Sequence, residues 1–125
     1  MSFFNSCLND QTHDYEKRIF TFCHNSAPRK PPEFLLLEVN SPFDVYLEWG
    51  TVPLEYVMGT PIGFQLSYKK SGSTVANTWI RKNNNRHTIV KELEPDKLYI
   101  FDVCLVNEYG TGPCFRNSTR TLPSG

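Results

Sequence analysis

The chain carries no excess of charge of either sign: thirteen Lys and Arg balance thirteen Asp and Glu. A nucleic-acid binder needs a basic footprint, and this composition does not supply one. No apolar run reaches membrane-spanning length, so direct insertion by this segment is not expected. Residues 1–20 also lack the apolar core of a signal peptide, because Asn9, Asp10, Asp14, Glu16, Lys17 and Arg18 interrupt it. The expectation is a segment of a longer protein. Catalytic signatures are missing as well: there is no Gly-x-Ser-x-Gly turn, no His-Glu-x-x-His and no phosphate-binding loop. His13, His24 and His87 adjoin neither a nucleophile nor a carboxylate pair. These absences point away from an enzyme and from any cofactor or catalytic metal.

Cysteine is scarce but even in number, at positions 7, 23, 104 and 114. An even count fits disulfides in an oxidising compartment. Free thiols in a cytosolic domain are the alternative, since free Cys is often a buried small hydrophobe. Zinc is a third reading: Cys7, His13, Cys23 and His24 supply ligand types but lack the short Cys-to-Cys spacing of structural sites.

What the chain does have is alternation. Tyr99, Phe101, Val103 and Leu105 occupy every second position of a strand, and Leu93 and Pro95 fall on the same alternate positions across the Pro-containing turn before it. A tyrosine opening such a strand suggests a corner in which the ring is buried and the hydroxyl bonds upstream backbone. Earlier strands follow the same period: Leu35, Leu37 and Val39; Val45, Leu47 and Trp49; Ile62, Phe64, Leu66 and Tyr68. Lys70-Ser71-Gly72-Ser73 reads as a hairpin turn, and Asn83-Asn84-Asn85 as another. Trp79 and Ile80 mark a fourth strand, residues 87–91 a fifth, and residues 114–121 the last. Seven short strands separated by turns predict an all-β antiparallel sandwich. Three segments follow: an extension with a Pro-rich linker over 1–30, a domain over 31–122, and a tail over 123–125.

Residues 31–122 resemble a fibronectin type III domain. The resemblance rests on the strand run from Leu93 to Gly112, Pro31-Pro32 at the start, Trp49 and Pro53, Ile62-Gly63-Phe64-Gln65-Leu66-Ser67-Tyr68, and Asn107, Gly110 and Gly112 at the last turn. It implies an immunoglobulin-like sandwich with sheets A-B-E and G-F-C-C′, and a structural corner made by Tyr99, Leu93 and Pro95. It also gathers the B–C, C′–E and F–G loops at one pole. Tyr56, Met58, Arg86, Glu108 and Tyr109 become candidate protein-binding residues there, because loop aromatics are common anchors. The competing reading is that these residues pack against residues 1–26 or a preceding domain.

With Phe101, Val103 and Leu105 inward, Cys104 is expected on the outer face, opposite Cys114 across a hairpin, at a separation a disulfide can bridge. Cys7 and Cys23 form the other local pair. Asp102 is expected on the same face as ordinary surface charge. Asn117-Ser118-Thr119 is an N-glycosylation sequon. If Phe115 is buried, regular alternation turns Asn117 inward too, and a bulge in the last strand would resolve that conflict. The expected role is a non-catalytic extracellular or cell-surface module of an adhesion or receptor protein. It would space neighbouring domains and contact a protein partner. The alternatives are an intracellular scaffold module and an accessory domain of a receptor-type phosphatase.

Overall fold

A computed structural model describes residues 26–124. Seven strands appear in chain order: β1 (Leu35–Glu38), β2 (Val45–Trp49), β3 (Pro61–Lys70), β4 (Asn77–Arg81), β5 (His87–Val90), β6 (Leu98–Asn107) and β7 (Gly110–Arg120). One sheet has the order β1-β2-β5 and the other β4-β3-β6-β7, with every pairing antiparallel. These are the A-B-E and C′-C-F-G sheets of the expected sandwich.

Alternation explains the packing. Val45, Leu47 and Trp49 on β2 face Phe64 and Leu66 on β3 and Phe101, Val103 and Leu105 on β6, and all are buried. Trp49 is fully enclosed and meets Phe64 edge to face at 5.6 Å between ring centres. Such geometry suits the opposite charge of ring face and ring edge. Tyr68 contacts Trp79, Tyr99 and Phe101, which extends the aromatic core toward the other end of the sandwich.

Ile62 departs from the alternation. The β3–β6 register shifts between Pro61 and Gly63, so Ile62 turns outward and is exposed. Gly63 is required at that bulge, because a β-carbon there would lie 1.9 Å from the Arg81 carbonyl oxygen. The B–C loop contains a single turn of 3₁₀ helix, Leu54–Tyr56, that no periodic pattern announces.

The bulge invoked for the last strand exists but lies elsewhere. Register shifts between Cys104/Cys114 and Val106/Thr111, near the F–G turn. Phe115 and Asn117 therefore stay on one face, opposite Val103 and Phe101. Asn117 tolerates this position because β7 is a sheet edge, where its side chain reaches the open seam beside β1 and remains exposed.

Candidate functional site

The B–C loop, the C′–E turn and the F–G turn meet at the pole where β2, β4 and β6 end. Asn107, the last residue of β6, organises it. Its side chain is buried and makes four hydrogen bonds. Nδ2 donates to the Ser26 carbonyl at 2.9 Å and to the Val57 carbonyl at 2.8 Å. Oδ1 accepts from the Tyr109 and Gly110 backbone N–H groups at 2.8 and 3.2 Å. One amide thus ties the incoming chain, the B–C loop and the F–G turn together. A buried polar group is favourable only when its bonding capacity is met, as it is here. The sequence signal for the turn half of this role is an Asn two residues before Tyr109-Gly110, where Asx side chains commonly bond backbone just ahead. Nothing local announces the bonds to Ser26 and Val57.

Residues 26–30 lie against this pole. The Arg29 N–H donates to the Tyr56 carbonyl at 2.9 Å, and the Lys30 ammonium sits 4.7 Å from the centre of the Tyr56 ring. Pro28 is buried beside Gly112, where an added β-carbon would meet the Pro28 β-carbon at 2.7 Å and its carbonyl oxygen at 2.8 Å. Tyr56 is thereby half-buried, with its ring shared between the core and Lys30.

The other candidate residues are distributed as follows. Met58 is half-buried, with φ +63°. The Glu108 carboxylate accepts a short bond from the Thr60 N–H, and the Glu108 N–H donates back to the Thr60 carbonyl at 3.2 Å. The F–G turn is therefore bonded to the end of the B–C loop. Tyr109 is half-exposed, and its ring lies near Gly59. Arg86 stands apart from this group: its carbonyl accepts from the Trp49 N–H and its guanidinium reaches the Trp49 carbonyl at 3.4 Å. An apolar groove of about 160 Å³ opens between the B–C loop and the C′–E turn, lined by Val52, Val57, Ile62, Phe64, Leu105 and Asn84.

Cys104 and Cys114 are joined by a disulfide with Cα atoms 4.2 Å apart. The Thr121 N–H donates to the Lys97 carbonyl, which makes 97/121 a bonded pair; bonded pairs recur at every second residue, through 99/119 and 101/117 to 103/115, so the neighbouring 104/114 is a non-bonded one. Cys104 differs from the expectation of an exposed outer position, because it is buried. Its bonded partner Cys114 flanks it, and a 3.4 Å hydrogen bond from the Thr111 hydroxyl to the Gln65 carboxamide crosses β6 between positions 104 and 106. Cys114 is exposed. Cys7 and Cys23 lie outside the described residues, as do His13 and His24.

At the opposite pole the Glu94 N–H donates to the Tyr99 hydroxyl at 3.0 Å, with Leu93 buried and Pro95 half-buried beside it. Thr121 braces the same corner by donating to the Glu94 carbonyl at 2.6 Å. Lys70 pairs with Glu94 and Arg120 with Asp96. On the outer sheet face Asp102 does more than carry charge: Arg116 binds it through two N–H groups at 2.9 and 3.1 Å. That bond raises the Arg116 pKa. Among the described residues no three His, Cys, Asp or Glu side chains gather as a metal site would require. No helix among them is long and apolar enough to cross a membrane.

Residues 29–121 match the fibronectin type III domain family. The chain belongs to that family. Human protogenin is 25% identical over 86 residues, which is 69% of this chain and 7% of protogenin. Rat protogenin is 26% identical over the same length, so the chain spans about 7% of the curated relatives it matches. Among solved structures, the third fibronectin III domain of human KIAA0343 protein superposes with a TM-score of 0.71 at 21% identity, covering 93% of both chains. The chicken CNTN1 FN1–FN3 structure gives 0.69 at 23% identity, over 78% of this chain and 33% of that one. At these identities the two structures establish the fold. As a fibronectin type III domain, the chain presents loops on a rigid sandwich.

Proposed function

We propose that this fibronectin type III domain is a non-catalytic, extracellular spacer and protein-interaction module of a larger adhesion or receptor protein. The observation that carries the reading is the placement of the two chain ends. The incoming residues 26–30 are tied to Asn107 and Tyr56 at one pole. The outgoing chain passes the other pole, where the Leu122 carbonyl accepts from the Asp96 N–H. Between them β7 runs eleven residues, roughly 35 Å. A domain entered and left at opposite poles sets a fixed separation between its neighbours.

The disulfide supports an oxidising location, because such bonds persist outside the cytosol. The sequon at Asn117 and the likeness to protogenin point the same way. The surface for a protein partner is the loop pole, with Tyr109, Leu54 and Ile62 among its exposed apolar groups. Cell-surface location and binding are tested together. Protein from its native source is alkylated before lysis and mapped without reductant. A Cys104–Cys114 bond is expected, and alkylated thiols at both positions would reject the extracellular reading. Tyr109→Ala should weaken capture by the cell-surface partner by about 1–2 kcal/mol, as for an aromatic anchor. Unchanged capture would move the binding surface off this pole.

A further inference from the structure

The sandwich has two open seams, where the edge strands of its sheets face each other. Across one of them the Arg81 guanidinium donates to the Thr88 hydroxyl at 2.8 Å, linking β4 to β5. Across the other, a single side chain links β1 to β7. Asn117 Nδ2 donates to the Leu35 carbonyl at 2.9 Å, and Asn117 Oδ1 accepts from the Ser118 N–H at 2.8 Å. Both partners are edge groups. Leu35 is opposite Trp49, whose N–H is directed to Arg86 on the far side, so the Leu35 carbonyl points away from β2. Ser118 is opposite Ile100 in the same non-bonded set of pairs as 104/114, so its N–H points away from β6. Asn117 therefore satisfies one edge group on each sheet that no neighbouring strand pairs.

That arrangement uses one of the two Nδ2 hydrogens and leaves the other free on an exposed residue. Asn117 also heads the sequon Asn117-Ser118-Thr119. We propose that Asn117 carries an N-linked glycan whose place in the fold is the β1/β7 seam, where it guards both sheet edges against strand addition. The inference rests on the extracellular reading, since the transfer requires the secretory lumen. In that transfer the Asn117 amide nitrogen attacks the anomeric carbon of a lipid-diphosphate-linked oligosaccharide. A C–N bond forms, the anomeric C–O bond breaks, the lipid diphosphate leaves with the electron pair, and Nδ2 gives up one proton. The folded chain keeps the remaining Nδ2 hydrogen for the Leu35 carbonyl. Edge strands expose unpaired backbone groups that template association, and bulk at the edge blocks that route. The disulfide acts nearer the F–G turn, so the glycan covers the half of β7 that the disulfide does not reach.

The test is to direct the full chain into the secretory pathway of eukaryotic cells and map peptides before and after peptide N-glycosidase. Glycan release should convert Asn117 to Asp. T119S, which keeps the sequon, should retain the glycan, and T119A should lose it with Asn117 intact. An unmodified Asn117 in protein whose Cys104–Cys114 bond has formed would overturn the proposal and leave the extracellular reading standing. Free thiols at both cysteines in protein from the native source would count against that reading instead. For the guarding role, sedimentation should show severalfold more self-association for T119A than for glycosylated T119S at equal concentration. Equal association would overturn the guard.

Discussion

At the residue scale, Asn107 and Tyr68 carry the sharpest expectations. Asn107→Ala removes the partner of two carbonyls and two N–H groups at a buried position. It should cost about 3 kcal/mol in denaturant unfolding, toward the upper end for loss of a buried polar network. A change within about 0.5 kcal/mol would show that water replaces the amide without loss. Burial, followed by Tyr99 and Glu92, raises the Tyr68 pKa above its ordinary 10.0. The sign is that of a group holding its proton more tightly when folded. Its contribution is complete below the unfolded value and is lost as pH climbs through the folded one. Melting temperature should therefore fall as pH rises beyond about 10, and Tyr68→Phe should flatten that fall.

At the scale of elements, the bulge in β7 sets how the incoming chain lies. Gly112 allows Pro28 to approach at a distance no side chain tolerates. Gly112→Ala should push residues 26–30 off the hairpin, because the nearest obstructions include the Pro28 backbone and are not a flexible side-chain tip. The check is limited proteolysis at Arg29 and Lys30 together with thermal melting. Cleavage should quicken and melting should fall, whereas wild-type cleavage kinetics would mean that the hairpin shifts instead. The strands themselves were legible, since period-two burial of one face follows directly from backbone geometry. Ile62 was not, because its exposure depends on a bulge in the pairing of β3 with β6, beside a Gly63 that the distant Arg81 carbonyl crowds. The location of the β7 bulge was hidden for the same reason.

At the scale of the whole molecule, two poles divide the work. One receives the chain and gathers loops, while the other holds the tyrosine corner and releases it. Removing residues 1–26 takes the Ser26 carbonyl from Asn107 and should lower stability by about 1 kcal/mol. Calorimetry of full-length and shortened chains decides it. An unchanged melting temperature would mean that the pole is complete without that contact. The loop residues at this pole then remain candidates for the binding surface, with Tyr109 the group to test.

The sequence by itself determined the sandwich, the core and the disulfide partners within the hairpin. Each follows from alternation and turn chemistry, which act between near neighbours. Tertiary structure alone decided that Cys104 is covered, that Asn117 links two sheet edges, and that Asn107 joins three segments. Cys104 lies opposite Gln65 of β3 and is bonded to Cys114 of β7, so its neighbours come from the strands on both sides. Asn117 needs the Leu35 carbonyl, 82 residues away, and Asn107 needs Ser26, 81 residues away. Polar side chains bond whatever the fold brings within about 3 Å. Their partners are therefore set by the packing of the two sheets and leave no periodic trace in the chain.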